Sequence, residues 1–467
     1  MTETVISKKD LSNIFTYLKA FETFEQNGFR KDPPWLRLIR KEAIDSFERL
    51  GFPTMRDEFW KYTNIAAITR TQFQLSPEVS SLGMDQIRPF LFGNPDWPRV
   101  VFVNGYFSKS LSHIKNQTGV KIGNLFPSPL TLSPEGRGKG EGLNSEIVKL
   151  HLGRYADIKQ NAFTALNAAF FHDGAYLHLS KQTSLEEPVL LLFISTSSNA
   201  KLPLNQTRNL IILSENSEAS VIEKHVSLNG QDDHYFSNSV TEIVLSSGAK
   251  LGYHKVSQES QNASHIGTTQ VNQNEKSRFL SSSVVIDGGL VRNNLNVILS
   301  GEHSECVLNG LYMANGNEHV DNYTLIDHPK PHGTSRQVYK GILAGKSTGV
   351  FSGKIFVHQD SQKTDASQVN KNLLLSKDAT VNTKPQLEIL ADDVKCTHGA
   401  AVGQLEDEAI FYLKTRGIDE QAATKLLSYG FASEIIENIP IEAVKQELNR
   451  IVHKKLEVIL SEAKDLV

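Results

Sequence analysis

Cys396 and His398 stand two residues apart in the string Lys395-Cys-Thr-His-Gly399. On an extended strand, positions i and i+2 share a face. A thiolate beside an imidazole suits zinc, iron or an iron–sulfur cluster. Two donors do not fill a coordination shell, so a working site would borrow ligands from a second chain; the alternative is a structural pair. The other cysteine, Cys306 in Glu305-Cys-Val-Leu, reads as a small buried apolar residue. Two cysteines exclude a disulfide-built scaffold and a four-cysteine site within one chain.

Other chemistry-bearing patterns have simpler readings. Gly341-Ile-Leu-Ala-Gly345-Lys346-Ser347 approaches a phosphate-binding loop but has three residues between its glycines, where the motif needs four. Val350, Phe351 and Ile355 then continue in β-like sequence rather than a helix, so the segment reads as a turn between strands. The alternating glycines of 136–142 miss the dinucleotide-binding spacing. His319, His328, His332 and His358 cluster in sequence without a helical His-x-x-x-His pair, since Pro329 and Pro331 separate His328 from His332, which favours packed or hydrogen-bonded histidines over a metal site. Gly345-Lys-Ser347-Thr-Gly349 has the Gly-x-Ser-x-Gly spacing, but β-like sequence rather than a helix follows it, so it does not read as a nucleophile elbow.

The elements that must position these residues fall into three stretches. At the start, Asp10 is placed to cap a helix carrying Leu11, Ile14, Phe15, Leu18 and Phe21. A second helix is predicted from Pro34 through Leu38, Ala43 and Phe47, stopping at Gly51. The segment 99–107 reads as a strand with an Asn104-Gly105 turn. A Pro- and then Gly-rich run near 127–146 reads as a flexible surface insertion.

From about Pro188 to Gly403 short β-rich runs dominate: 189–194, 210–213, 240–245, 284–286, 296–299 and 373–375. Turn-like starts at Ser214, Ser246, Asn274, Ser300, Ala344 and Ser376 are spaced by 32, 28, 26, 44 and 32 residues, in the range of a stacked repeat. The residues thus favour a β-solenoid somewhat over a β-sandwich. Past Gly403 the pattern is helical again. A helix over 407–416 ends at Gly417, Asp419 caps the next, and Pro440 opens a last one with Ile441, Val444, Leu448 and Ile451 in a stripe.

Composition narrows the function. The 467 residues are 39% hydrophobic and 22% charged, enough for two or three domains with a sizeable core. A net charge of −3 gives no basic field for nucleic acid. The longest wholly apolar run, 189–194, is too short for a membrane span, and the polar residues 1–10 lack an export-type apolar region, so a cytoplasmic protein is expected. A carbohydrate-active enzyme on a β-solenoid is the weakest alternative, since such enzymes usually act outside the cell.

Longer motifs carry a family resemblance. Lys384-Pro-Gln-Leu-Glu-Ile-Leu-Ala-Asp-Asp-Val-Lys-Cys396-Thr-His398-Gly-Ala, followed by Phe411-Tyr-Leu-Lys-Thr-Arg-Gly417, closely resembles the SufB/SufD family of the Suf iron–sulfur cluster assembly machinery. Gly51-Phe-Pro-Thr, Trp60-Lys-Tyr-Thr, Phe163-Thr-Ala-Leu-Asn167, Ser335-Arg-Gln-Val-Tyr-Lys-Gly341 and Gly349-Val-Phe-Ser-Gly-Lys354 extend the match over the chain outside the insertion. The SufD branch fits better than SufB, whose pattern has a cysteine shortly before the stretch that here reads Gln368-Val-Asn-Lys-Asn-Leu373. A SufB-like main cluster scaffold is the rival identity.

The resemblance implies a mainly β fold: a right-handed parallel β-helix over 156–404, flanked by a helical and mixed domain at 1–155 and a helical domain at 405–467. It implies a non-catalytic scaffold that pairs with a SufB-like paralogue through the β-helices and holds a SufC-like ABC ATPase on its C-terminal helices. Sulfur would arrive from a SufS/SufE-type donor, and the isolated chain would have scope to form a homodimer. His398, with Cys396, would face SufB and help hold a transient iron–sulfur cluster, His398 as a metal ligand. No cofactor is expected to bind the isolated chain tightly. Leu426, Leu427, Tyr429, Phe431, Ile435 and Ile436 would supply the ATPase-docking surface.

Overall fold

The computed structural model describes residues 8–28, 32–76, 78, 82–126, 146–197 and 202–462. Apart from Glu146, the Gly/Pro-rich run lies outside these residues. Between 203 and 403 the chain passes alternately through two sheets, one strand of each per coil, for about seven coils. The first sheet runs in order from Pro203–Leu213 to Thr380–Ile389, and the second from Glu218–Ser227 to Lys395–Gly403. Neighbouring coils pair in parallel register, Phe279 beside Cys306, Cys306 beside Ser335, Ser335 beside Ala366 and Ala366 beside Cys396. The molecule is thus a parallel β-solenoid with helical regions at each end of the chain.

Alternation explains why these sequences coil. Every second residue points inward, and in coil after coil the inward set supplies one apolar cluster that includes Leu213, Val221, Tyr253, Phe279, Val297, Cys306, Leu308 and Phe351. At one corner the chain turns through left-handed backbone at Asn216, Gly248, Lys276, His303, His332 and Lys363. The N–H of Asn216 donates to the Ser247 carbonyl at 3.0 Å, Gly248 to Glu275 at 2.8 Å and Lys276 to Glu302 at 2.9 Å, a ladder linking each turn to the next. Gly341 ends up inside a strand and Gly345 (φ +62°) at a turn, as expected for a motif that is not a phosphate loop. The sequence spacing of 44 residues has a simple origin. Ser300 follows a first-sheet strand and Ala344 a second-sheet strand, so that interval spans one coil and about half of another.

Helices cover apolar patches on both outer faces. Helix Ala162–Phe170, capped by Asn161 accepting from Phe163 N and Thr164 N, buries Phe163 and Leu166 in a cluster with Leu204, Phe236, Ile266 and Leu290. Helix Pro34–Leu50 ends at Gly51 (φ +63°), as read from the sequence. Helix Lys8–Gly28 already includes Asp10, which is therefore not its cap, and it buries Ile14, Tyr17 and Phe21 while Phe15 is 65% exposed. Strands Arg99–Val103 and Tyr106–Phe107 form the expected hairpin through Asn104-Gly105, both at positive φ. At the other end, helices Glu420–Ile436 and Glu442–Glu462 cover the second sheet, joining Ile435, Val444, Leu448 and Val452 to Val256, Val284, Leu311 and Ile342. Lys455 pins the last helix, its Nζ 2.8 Å from Asp287 and 3.2 Å from Glu318. Among the described residues no helix is long and apolar enough to cross a membrane.

Candidate site at the open end of the solenoid

Strand Lys395–Gly403 is the last of the second sheet, and among the described residues nothing pairs with its outer edge. Thr380–Ile389 holds the same place in the first sheet. Lys395–Gly403 is largely exposed and Thr380–Ile389 largely half-buried, unlike the mostly buried coils before them. Their free N–H and C=O groups form the kind of edge that accepts another strand.

Cys396 and His398 lie on this edge strand. Cys396 ends the inward column that runs Phe279, Cys306, Ser335, Ala366, and it is half-buried against the apolar interior. Burial pushes its thiol pKa up, with the Ala366 backbone acting the other way. His398 ends the next column, beside Gln368, and is exposed. The two side chains therefore stand on neighbouring inward columns at the mouth of the solenoid. Cys306 is fully buried three coils deeper, and burial lifts its thiol far above the usual range. It packs in the core, as read from the sequence.

The clustered histidines separate. His319 Nε2 lies 3.1 Å from Thr63 Oγ1, His328 Nε2 3.0 Å from Ser335 Oγ, and His358 Nε2 2.8 Å from Asp327. His332 stacks on His303 with ring centroids 4.6 Å apart.

The six C-terminal residues divide as well. Ile435 and Ile436 are fully buried in the cluster under the helices, so the apolar surface expected of them is already covered by the solenoid. Tyr429 is half-buried and stacks on His453 at 4.0 Å. Phe431 is half-buried, with its ring over the Lys340 ammonium at 4.4 Å and its carbonyl accepting from Lys340 Nζ at 3.1 Å. Leu426 is 51% exposed. Leu427 and Phe431 line a groove of about 350 Å³ with Leu373, Leu405 and Ala409. Helix Asp407–Thr415 beside it buries none of its residues and presents Phe411, 68% exposed, and Tyr412, 57% exposed. These two aromatics were not singled out from the sequence as surface residues. Adjacent aromatics in a helix flanked by Asp407, Glu408, Lys414 and Arg416 were the available signal.

Comparison with known proteins agrees with this architecture. Residues 193–431 match the family described as SUF system FeS cluster assembly, SufBD core domain, and residues 12–191 match the SufBD protein N-terminal region. The iron–sulfur cluster assembly protein SufD of Escherichia coli is 31% identical over 91% of this chain and 93% of its own length. An iron–sulfur cluster assembly SufBD family protein of Synechocystis is also 31% identical, over 88% of this chain and 89% of its own. SufD of Bacillus subtilis is 26% identical over 94% of this chain and 97% of its own. With both family regions present in order along the chain, this protein belongs to the SufB/SufD family of iron–sulfur cluster assembly proteins.

Proposed function

We propose that this chain is a non-catalytic scaffold subunit of a Suf-type complex, which presents the open end of its solenoid to a SufB-like paralogue and its C-terminal helices to a SufC-like ATPase. The observation that carries this reading is the uncovered last coil. A long parallel sheet edge left bare invites strand addition, and a second solenoid of the same family offers the matching edge. Pairing there would place Cys396 and His398 at the seam, where donors from the partner complete a shell that two residues cannot. A neutral imidazole beside a thiolate makes a labile site, which suits a cluster that is assembled and then passed on. Phe411, Tyr412 and Leu426, beside the groove that Leu427 and Phe431 line, are the apolar surface left for the ATPase, while Ile435 and Ile436 hold the helices in place. Iron and sulfide would come from other components, sulfur from a SufS/SufE-type donor, with the work of the cycle done in the cytoplasm by the ATPase.

Co-expression with SufB-like and SufC-like partners tests this. The three chains should co-elute. Ala400→Lys with Val402→Lys, two like charges on the exposed edge, should release the SufB-like chain and keep the ATPase. His398→Ala should keep the complex and lower its iron and sulfide content after anaerobic assembly, whereas Cys306→Ala should leave that content unchanged. Full cluster loading by the His398→Ala complex removes His398 from the site; retention of the SufB-like chain by the edge variant moves the pairing surface elsewhere.

A further inference from the structure

The solenoid interior is apolar on one side and polar on the other. Near the corner where second-sheet strands pass into first-sheet strands, five buried ionisable residues meet: Glu223 and His225 from Glu218–Ser227, Lys255 from Lys250–Gln258, Glu259 just beyond it, and His265 from Ser264–Gln273. His225, Glu259 and His265 each offer one donor atom, and the three atoms lie within 4.8 Å of one another. Among the described residues this is the one such group.

The geometry inside the group is unusual for a closed hydrogen-bond network. Glu259 Oε2 is 2.8 Å from His265 Nδ1, but neither oxygen of this buried carboxylate has a well-aligned hydrogen bond. A buried carboxylate met this poorly is costly unless a cation answers it. His225 is held differently: its Nε2 is 2.9 Å from Glu223 Oε1, while Glu223 Oε2 accepts from Tyr253 at 2.5 Å and from Thr241 at 3.0 Å. A carboxylate fixed in this way behind an imidazole is the usual outer partner of a metal-bound histidine. Lys255 Nζ lies 3.5 Å from Glu223 Oε1. One ammonium faces two carboxylates, so a negative charge is left over. Beside His225, Ser195, Asn205, Thr207, Ser237 and Ser239 wall a cavity of about 10 Å³, room for about one water as a further ligand.

We propose that His225, Glu259 and His265 bind one divalent first-row transition ion, of the zinc or ferrous class, inside the solenoid, with Glu223 orienting His225. Two imidazoles and one carboxylate are a donor set for such ions, and a water completes four-coordination. The competing occupant is a proton on His265 Nδ1, with Lys255, 3.5 Å from Nε2, as the other neighbour of the ring. The site is separate from Cys396 and His398 and does not depend on any partner chain.

The test uses the full chain alone, stripped with a chelator and titrated with Co(II), with Zn(II), and anaerobically with Fe(II). One ion per chain should survive gel filtration, Co(II) should give the visible absorption of a low-symmetry nitrogen–oxygen site, and the melting temperature should rise on binding. Glu259→Gln, close in size, should weaken binding about tenfold or more, and Glu223→Gln should weaken it in the same direction. The double variant Cys396→Ala, His398→Ala should bind as the parent does, which separates this site from the one at the open end. Wild-type stoichiometry decides even if a variant fails to fold. Metal well below one equivalent in the parent overturns the proposal in favour of the proton. Loss of binding only in the Cys396/His398 variant overturns it in favour of the surface pair.

Discussion

Ile435→Ala on one side, and Phe411→Ala or Leu426→Ala on the other, should separate two kinds of apolar side chain on the C-terminal helices. Ile435 is 0% exposed within the cluster that joins the helices to the second sheet. Truncation removes three carbons, about 2.4 kcal/mol of transfer free energy at about 0.8 per methylene. The cavity left under two packed layers adds to this, giving about 3 kcal/mol in all. Phe411 is 68% exposed, so about a third of its side chain contributes, and its removal should cost about 1 kcal/mol or less. Toward the ATPase the order reverses: truncating an exposed aromatic anchor should cost about 2 kcal/mol of binding, roughly thirtyfold in Kd. Urea titration of the isolated chain, followed by circular dichroism, gives the stability term from the shift in midpoint. Titration calorimetry with the SufC-like partner gives the other. Equal destabilisation by Ile435→Ala and Phe411→Ala, or undiminished ATPase affinity in both Phe411→Ala and Leu426→Ala, would refute the division.

Three further outcomes are expected. Burial holds the His172, His254 and His328 pKa values at about 4, against an ordinary 6.5. The unfolded chain binds protons there that the native chain does not, so stability falls as pH drops from about 6.5 to about 4, by up to about 3 kcal/mol per residue. Urea midpoints measured across that range should fall steadily, and His328→Gln should make the fall shallower; a constant midpoint contradicts the buried neutral state. Iodoacetamide should label one thiol of the native chain, Cys396, and both thiols in denaturant, as read by intact mass; native labelling of Cys306 would mean that the solenoid opens. Gly345 has φ +62°, and a Cβ there would come within 2.7 Å of Gly316 N. Gly345→Ala should therefore cost at least about 1 kcal/mol, while Lys346→Ala, exposed at the same turn, should stay within about 0.5. The reverse order in thermal melts would mean that the lysine matters more than the turn.

Local signals were legible and distant ones were not. Helix ends could be read because a single residue carries each of them, as Gly51, Gly417 and Asp419 do. The stacked strands were visible as period-two runs, but the two corners of each coil use similar turn residues, and that similarity produced the 44-residue interval. Ile435 and Ile436 looked like surplus apolar surface because the sheet that covers them lies far earlier in the chain. The Cys396–His398 pair was found by spacing. That it sits at an open edge depends on how many coils pair, which no local pattern reports. His225, Glu259 and His265 escaped notice because 34 and 6 residues separate them and only coil stacking brings them together. The available signal was charge at inward positions, Glu223-x-His225 and Lys255, within otherwise apolar alternation.

The polar side of the interior also bears on how the coils find their alignment. Sliding one strand by a single residue turns it inside out, which the apolar pattern forbids. Sliding it by two keeps every inward residue inward, and a core of interchangeable Val, Leu and Ile would barely resist. Here Lys255 sits beside Glu223 in the parallel ladder, with Val221 and His225 two places away on either side. A two-residue slip would trade a carboxylate for a methyl group or an imidazole beside a buried ammonium. The buried charges thus act as a key that tells one alignment from its near copies, and replacing Glu223 and Lys255 together by apolar residues should leave a stack that still coils but no longer settles on a single phase.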